Sequence, residues 1–240
     1  MKIGPHKIDG RRTFIIAEAG TNHLGRFGDA LAYCRRAHEC GADAVKFQMF
    51  TIGEALFCPM LGDVNRQARW AQSCMRPEDW RNVKSLCDEI GIVFLASAFQ
   101  PTTVRWLREM DVAAYKVASR AAAAYPYDAA PGPFIVSCGM ALPLPRILYD
   151  DRLFLVQCKS IYPTPLIDAR WVQNANGLSD HSGTLWPGLD AMARGCPMLE
   201  VHFSIEPDKS DAGPDKPVCL SVVELKLLCE ARDAFAEMRK

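Results

Sequence analysis

Residues 77–97, PEDWRNVKSLCDEIGIVFLAS, contain one amphipathic helix followed by one apolar strand. Pro77 suits a first helical position, and the acidic residues after it suit the positive end of a helix. Apolar side chains then recur every three or four residues, and Gly91 marks the end of the helix. The apolar run Ile92–Ser97 follows at once. The stretch therefore predicts the helix–strand unit from which parallel sheets are built.

The same kind of apolar, β-rich run recurs along the whole chain. The predicted strands are Thr13–Glu18, Asp43–Gln48, Ile92–Ser97, Val112–Ser119, Pro133–Ser137, Leu153–Cys158, Gly177–His181 and Met198–His202. Amphipathic segments lie between several of them, and Ser221 with Glu224 forms a capping box that predicts a last helix. Eight such units in 240 residues match an α/β fold of the (β/α)8 TIM barrel type. A doubly wound sheet is the alternative.

Two stretches fit this pattern poorly. Residues 119–133 contain internal prolines, and residues 140–153 leave room for about two helical turns. We therefore expect the fifth and sixth units to be shortened or helix-poor. We expect a single barrel domain over residues 1–240, with a short hairpin-like segment at about residues 1–12.

The composition excludes several classes of protein. Lysine and arginine total 28, as do aspartate and glutamate, so no net charge attracts nucleic acid or an anionic membrane. No apolar run is long enough to span a bilayer, and the first residues lack the apolar core of a signal peptide. Ten cysteines without a CxxC pair are typical of reduced core thiols. These features predict a cytoplasmic globular protein that binds neither nucleic acid nor membrane.

In a barrel of this type the C-terminal ends of the strands meet at one mouth, and here these ends are polar. His181 and His202 end the last two strands, so two imidazoles would lie side by side and suit a divalent metal. Asp180 and Glu200 lie close to them in sequence, and we expect these carboxylates to orient the two rings. A pair of structural, hydrogen-bonded histidines is the alternative interpretation.

Lys46 and Lys116 each interrupt an apolar strand, where an ammonium group is costly unless an anion compensates it. The pair predicts a clamp for phosphate or carboxylate. A lysine that snorkels to the strand end and a Schiff-base lysine are the alternatives. Glu18 ends the first strand and is a candidate base. Hydroxyl groups also lie at the strand ends, on Ser97, Ser119, Ser137, Ser160 and Ser179.

These motifs together resemble the N-acetylneuraminate (sialic acid) synthase family. The matching stretches are IIAEAGTNHLG (15–25), GADAVKFQ (41–48), FLASAF (94–99), YKVAS (115–119), VSCGM (136–140), QCKSIYPTP (157–165), GLSDHS (177–182), EVHF (200–203) and GPD (213–215). The resemblance implies a catalytic barrel that condenses phosphoenolpyruvate with an N-acetylmannosamine-like sugar aldehyde. The products would be a nonulosonic acid and phosphate.

The resemblance also implies roles for individual residues. His181 and His202 would hold a divalent metal, Mn²⁺ in the first place, with Mg²⁺ or Co²⁺ as alternatives. Glu18, Tyr162 and Asp215 would act on the sugar or on the attacking water. The residues implied for phosphoenolpyruvate binding are Lys46, Ser97, Lys116, Ser119, Ser137, Ser160 and Ser179.

The chain departs from the family pattern on the side of the site that binds the sugar. Ala121 stands where the family usually has a sugar-contacting glutamate, and Ser160 where it often has asparagine. We also expect the family's C-terminal antifreeze-like domain to be missing. The expected protein partner is a second copy in a homodimer, or a separate chain that supplies the missing domain. The competing functional hypotheses are a non-catalytic metal- and anion-binding barrel, a partner-dependent subunit, and a Schiff-base lyase or aldolase.

Overall fold

The computed structural model describes residues 1–57, 64–139, 151–173 and 175–240. Its centre is a closed barrel of parallel strands. The strands are β1 Phe14–Gly20, β2 Ala44–Met49, β3 Val93–Ala98, β4 Tyr115–Val117, β5 Phe134–Cys138, β6 Leu153–Cys158, β7 Leu178–Asp180 and β8 Met198–Phe203. Each strand pairs with the next in chain order, and β8 pairs with both β7 and β1, which closes the sheet. The predicted TIM barrel is confirmed.

Helices cover the outside of the barrel between several of the strands. They are α1 Phe27–Glu39, α2 Val64–Gln72, α3 Pro77–Ile90, α4 Pro101–Glu109, α5 Trp186–Ala193 and α6 Val222–Glu237. Gly91 ends α3 with a left-handed φ of 81°, and Ser221 and Glu224 form the predicted capping box of α6. Within the described ranges, every helix is too short or too polar to span a bilayer.

The connection from β4 to β5 contains short 3-10 turns, at Ser119–Ala121 and Tyr127–Ala129, in place of a helix. Alanine favours a helix, but Pro126 and Pro131 lack the backbone N–H groups that a longer helix would need. This shortened unit confirms the expectation from the sequence. The connection after β5 falls at residues 140–150, outside the described part of the chain. The described part of the connection from β6 to β7 also lacks a helix, which the sequence did not indicate.

The interior of the barrel changes from apolar to polar along its axis. Alternate residues of each strand face inward. In β1, Phe14 and Ile16 belong to the interior apolar cluster, and the next inward position is the buried Glu18. In β8, Met198 belongs to the same cluster, and Glu200 follows two residues later. The polar side chains therefore collect at the C-terminal end of the barrel, above an apolar plug.

A small hairpin closes the opposite end of the barrel. Lys2–Ile3 pairs antiparallel with His6–Lys7, as the sequence of this segment suggests. Ile3 in the hairpin and Ile8 just after it are buried in the interior apolar cluster. The hairpin therefore adds apolar side chains to the barrel core and leaves the polar mouth at the other end.

A second apolar cluster lies between the barrel and its helices. It contains the outward-facing residues of the strands, such as Ile15 and Phe47, together with Trp80 and Val83 of α3. The cysteines of the described residues are free thiols, and most of them are buried. This agrees with their interpretation as reduced core residues.

Candidate active site

A polar cavity opens at the C-terminal end of the barrel. Its walls are formed by Glu18, Lys46, Gln48, Ser97, Lys116, Ala118, Ser119, Ser137, Cys158, Ser160, Tyr162, Ser179, His181, Glu200 and His202. The set contains the candidate residues from the sequence except Asp180 and Asp215. The strand ends of a parallel barrel converge, and this brings together residues that are far apart in the chain.

Two lysines and two carboxylates form the centre of the cavity. Nζ of Lys46 lies 2.8 Å from Oε2 of Glu18. Oε2 of Glu200 lies 3.7 Å from Nζ of Lys46 and also 3.7 Å from Nζ of Lys116. All four side chains are at most 5% exposed. A single carboxylate therefore draws the two ammonium groups toward one point.

The pKa shifts of these groups follow from burial and from the opposite charges. Burial lowers the pKa of Lys46, but Glu18 and Glu200 outweigh burial, so the net shift is upward. At Lys116 burial dominates and lowers the pKa, although Glu200 opposes it. Burial raises the pKa of Glu200, but the two lysines outweigh it and lower this pKa. Two cations and two anions therefore balance one another inside the cavity.

The serine hydroxyls surround the lysines at different depths. The hydroxyl oxygens of Ser97 and Ser137 lie 3.4 and 2.7 Å from the nearer lysine Nζ. Ser179 is also buried, and its hydroxyl donates to Glu200 at 2.8 Å. Ser119 is half-buried and Ser160 is exposed, so they lie nearer the rim. The deep hydroxyls thus accompany the two lysines, and the shallow ones face the opening.

Glu18 and Asp215 both lie close to Gly20. Gln48 Nε2 donates to Glu18 Oε1 at 3.2 Å and holds that carboxylate in place. A Cβ atom built on Gly20 would lie 3.7 Å from Oε1 of Glu18 and 3.7 Å from Oδ2 of Asp215. Asp215 is 6% exposed. It therefore lies next to the cavity, on the same side as the end of β1.

The two histidines predicted as metal ligands are neighbours. Their ring centroids are 5.4 Å apart. The ring of Tyr162 stacks on that of His181 at 4.3 Å, and its hydroxyl lies 3.1 Å from Nε2 of His181. Nδ1 of His181 lies 2.8 Å from the carbonyl oxygen of Lys159. Burial, together with the charge of His202, lowers the pKa of His181 to about 4, so the ring is neutral at pH 7.

These imidazoles fit a divalent metal in their donor chemistry. A neutral ring whose Nδ1–H donates to a carbonyl has its electron pair at Nε2, the usual state of a metal-binding histidine, and at His181 this pair faces the Tyr162 hydroxyl. Nδ1 of His202 is buried and has no hydrogen-bond partner among the residues that the structure describes. The described residues contain no group of three His, Cys, Asp or Glu side chains around one point. Two histidines would thus be the protein ligands, and other positions would remain for substrate or water.

The expectation that Asp180 and Glu200 orient the two histidine rings is wrong. Asp180 accepts hydrogen bonds at 2.9 Å from the backbone N–H and the hydroxyl of Ser182. Glu200 faces the lysines, as described above. The only orienting partner of His181 at Nδ1 in the described residues is the Lys159 carbonyl. The error arises because position in sequence does not reveal which side of the strand end a carboxylate faces.

Three further residues with polar or ionisable side chains belong to the site or its border although they were not candidates. Gln48 lies two residues after Lys46 and faces inward by the same alternation, so the strand period could have identified it. Cys158 is the next inward position after Val156 in β6 and could have been found in the same way. Arg69 of α2 lies at the border, and no local pattern indicated it. Ala121 is fully buried in the turn after β4.

Comparison with known proteins gives a consistent result. The model of the NeuB family matches residues 33–239. The N,N'-diacetyllegionaminic acid synthase of Legionella pneumophila subsp. pneumophila is 31% identical over 92% of this chain and 72% of its own length. The pseudaminic acid synthase of Campylobacter jejuni subsp. jejuni is 28% identical over 96% of this chain and 76% of its own length. The chain thus covers about three quarters of these relatives.

The fold comparison agrees with the sequence comparison. The crystal structure of an N-acetylneuraminic acid (sialic acid) synthetase from Leptospira borgpetersenii, in complex with citrate, has a TM-score of 0.79 to this chain. The two sequences are 25% identical, and the match covers 99% of this chain and 89% of the other. This chain is therefore an enzyme of the transferase type, and it belongs to the NeuB family.

Proposed function

We propose that this enzyme condenses phosphoenolpyruvate with a sugar aldehyde similar to N-acetylmannosamine, and releases a nonulosonic acid and phosphate. The observation that carries the proposal is the pair of buried lysines around Glu200, ringed by hydroxyl groups at the barrel mouth. The names of the relatives support it, because they are synthases of nonulosonic acids.

Phosphoenolpyruvate carries a phosphate and a carboxylate, and the cavity offers groups for both. Lys46 and Lys116 are held close together by Glu200, so an anionic ligand meets two ammonium groups that are already in place. Ser97 and Ser137 lie within 3.4 Å of these ammonium groups and can donate to the same oxygens. Ser119, Ser160 and Ser179 complete the proposed set. A preorganised site of this kind offsets the charge of the leaving phosphate throughout the reaction.

The proposed chemistry forms one C–C bond and exchanges one C–O bond at C2 for another. C3 of phosphoenolpyruvate attacks the aldehyde carbon, and the aldehyde oxygen takes up a proton. C2 becomes electron-poor, and water adds to it, loses a proton and leaves a hydroxyl group on C2. The bond between C2 and the phosphate oxygen then breaks, phosphate leaves with the electron pair, and the C2 hydroxyl gives up its proton to the phosphate as the C2 carbonyl of the product forms. Glu18, which contacts Lys46, and Asp215 both lie close to Gly20. Either carboxylate can accept the proton that the water loses, and Asp215 can instead accept a hydrogen bond from a hydroxyl of the sugar aldehyde.

The aldehyde is proposed to lie on the histidine side of the cavity. His181 and His202 would hold a divalent metal, Mn²⁺ in the first place and Mg²⁺ or Co²⁺ as alternatives. When bound, such a metal polarises a carbonyl oxygen as a Lewis acid. The hydroxyl of Tyr162, 3.1 Å from His181 Nε2, can donate to an oxygen of the sugar from the rim. Tyr162 and Ser160 are exposed, and a second copy of the chain or a separate protein is proposed to cover them.

The test is phosphate release from phosphoenolpyruvate by the purified protein. A panel of aldoses and N-acyl aminosugars is supplied with Mn²⁺, and mass spectrometry identifies a product with the carbon atoms of both substrates. Lys116→Met serves as the site variant and is expected to lose turnover. Phosphoenolpyruvate binding without phosphate release for any aldehyde, with Mg²⁺ or Co²⁺ tested as well, would favour the non-catalytic barrel.

A Schiff-base lyase is the second candidate, and the lowered pKa of Lys116 favours it because a neutral amine attacks carbonyl carbon. Borohydride reduction in the presence of pyruvate or an aldehyde distinguishes the two. We expect no covalent adduct on Lys116, since its partner Glu200 keeps a negative charge 3.7 Å away and favours the ammonium form. A stable adduct at Lys116 with catalytic turnover would replace the condensation proposal.

A further inference from the structure

Arg69, on α2, links two loops at the border of the cavity. Its Nε donates to the hydroxyl of Thr21 at 3.0 Å, and its Nη2 donates to Oδ1 of Asn22 at 2.9 Å. Nη2 also lies 3.3 Å from the carbonyl oxygen of Asp211. The first two partners follow β1, and the third begins the loop that contains Asp215. One guanidinium group therefore joins the loop after β1 to the loop after β8.

The guanidinium also lies directly on the backbone before Asp215. A Cβ atom on Gly213 would overlap with Nη1 and the central carbon of Arg69. Gly213 has φ 53° and ψ −126°, a conformation that is open to glycine but costly for other residues. The absence of a side chain at position 213 thus allows Arg69 to approach the chain two residues before Asp215.

The charges of Arg69 and Asp215 attract each other. Burial lowers the pKa of the half-buried Arg69, and Asp215 acts in the opposite direction by stabilising the charged guanidinium. The start of this loop is also tied to the barrel. The carboxylate of Asp211 accepts hydrogen bonds from the hydroxyls of Tyr33 and Ser204. Asp211 therefore fixes the start of the loop to the barrel, and Arg69 fixes the next part of the loop, toward Asp215.

We propose that Arg69 is a positioning residue that sets the place of Asp215 for the second substrate, the aldehyde, without touching that substrate itself. The inference rests on the proposed function for the role of Asp215. An arginine suits this task because its planar fork donates in several fixed directions at once. A lysine has one ammonium group on a flexible stem and cannot span Thr21, Asn22 and the Asp211 carbonyl with the same geometry.

Arg69 is not required to hold α2 on the barrel. The next residue, Trp70, is buried and stacks on Phe50, with ring centroids 5.1 Å apart and an interplanar angle of 15°. The guanidinium group of Arg120 also lies over the Trp70 ring, with its central carbon 5.4 Å from the ring centroid. Because an aromatic anchor buries a large apolar area, α2 is expected to stay docked when Arg69 is replaced. A loss of function in Arg69 variants would then indicate displacement of the loop that contains Asp215, and not loss of the fold.

The test compares Arg69→Gln and Arg69→Lys with Arg76→Gln, a matched control. Arg76 has an exposed side chain that pairs with Asp79 on α3, outside the cavity. The first measurement is hydrogen exchange of residues 205–215 by mass spectrometry. The second is kcat/KM for the best aldehyde of the screen, together with the affinity for phosphoenolpyruvate in the presence of Mn²⁺. Circular dichroism and thermal unfolding check the fold of each variant.

We expect faster exchange of residues 205–215 in both Arg69 variants and no change in Arg76→Gln. We expect kcat/KM for the aldehyde to fall about 10- to 100-fold, because small displacements of reacting groups cost rate steeply. Phosphoenolpyruvate affinity should change less than about twofold, since Lys46 and Lys116 are untouched. Arg69→Lys should recover little of the lost kcat/KM, because lysine keeps the charge but not the geometry of the fork. A role that depends on charge alone would predict that Arg69→Lys recovers most of it.

Unchanged exchange in Arg69→Gln would overturn the inference, whether or not the wild type is active. An equal loss of phosphoenolpyruvate affinity and aldehyde turnover would also overturn it, since it would indicate a general effect on the cavity. A wild type that releases no phosphate with any aldehyde contradicts the proposed function instead, and the exchange measurement then decides the positioning of the loop by itself.

Discussion

The two buried lysines show how single residues determine the chemistry of this mouth. Lys46 is balanced by Glu18 and Glu200, whereas in the described part of the chain Lys116 has only the more distant Glu200 as a carboxylate partner. Removal of Lys46 would leave Glu18 buried without its closest cation, which endangers the fold. Lys116 is therefore the cleaner position for a binding test.

The first prediction concerns Lys116→Met. It should weaken phosphoenolpyruvate binding by roughly 1.5 to 3 kcal/mol, the range for a hydrogen bond to a charged group. Isothermal titration measures the affinity, and Lys226→Met on the exposed face of α6 is the control. Lys46→Met should show a loss of the same size if it folds. Equal affinity in wild type and Lys116→Met would exclude this lysine from the anion site.

The second prediction concerns His23, a buried residue outside the cavity. Burial lowers its pKa to about 4, and Arg69 adds to the shift. The ordinary value in an unfolded chain is about 6.5. Between these two pH values His23 binds a proton in the unfolded chain but stays neutral in the folded chain. The free energy of unfolding therefore falls as pH decreases from about 6.5 toward 4. Above about pH 6.5 the effect is absent.

His23→Asn separates this effect from other titrations. Nδ1 of His23 accepts from the backbone N–H of Gly25 at 3.2 Å, and the amide oxygen of asparagine can accept the same bond. Urea unfolding is measured for both proteins at pH 7.5 and pH 4.5. The wild type should lose on the order of 2 kcal/mol more than the variant over this interval. Parallel losses in the two proteins would show that His23 does not titrate in this way.

At the scale of elements, helix ends follow from short local signals. Ser221 begins α6, and its hydroxyl accepts from the backbone N–H of Glu224 at 3.3 Å. The Glu224 carboxylate in turn accepts from the backbone N–H of Ser221 at 2.7 Å. The third prediction is that Ser221→Ala lowers the free energy of unfolding by about 1 kcal/mol. Ser221→Thr keeps the hydroxyl and should lose less, and the same loss for both variants in urea unfolding would contradict the capping role.

The neighbouring strands β7 and β8 carry the fourth prediction. They bring His181 and His202 together, and the two rings are close enough to bind the same metal ion. His181→Ala and His202→Ala should each abolish Mn²⁺ binding in isothermal titration and also abolish turnover, with the fold intact by circular dichroism. His38→Ala, on the exposed face of α1, is the control and should bind Mn²⁺ normally. Wild-type Mn²⁺ affinity in either site variant would remove the metal assignment.

At the scale of the whole molecule, the two sides of the mouth differ in how completely they are built. The lysine side is buried and densely hydrogen-bonded, whereas Tyr162 and Ser160 lie at an exposed rim. Ala121 is fully buried and offers no polar group to a sugar. A site that lacks donors and acceptors for a substrate discriminates weakly and positions it poorly.

The fifth prediction follows from this asymmetry. The purified chain should bind phosphoenolpyruvate well but turn over N-acetylmannosamine poorly, with kcat/KM reduced by at least about two orders of magnitude relative to its best aldehyde, or roughly 2.7 kcal/mol. Steady-state kinetics across aldehydes of different size and substitution measure this. Efficient and selective condensation with N-acetylmannosamine would show that the polar groups of the lysine side and the rim suffice.

Much of the architecture was predictable because it depends on local patterns. Alternation along each strand places Ile16 below Glu18 and predicts which residues face the barrel interior. The capping signals around α3 and α6 predict their ends. A lysine inside an apolar strand indicates an anion, because its burial would otherwise be too costly.

The sequence by itself therefore determined the barrel, the end of it that carries the site, and the residue types at that end. Only the tertiary structure decided the partners: Glu200 belongs to the lysines, Asp180 to Ser182, and Arg69 to the loop before Asp215. The physical reason is that strand period and helix caps act over a few residues, whereas Arg69 and Asp211 lie 142 residues apart, and Glu200 lies on a different strand from each lysine. Such pairs depend on barrel register and on the direction of each side chain, which no local pattern specifies.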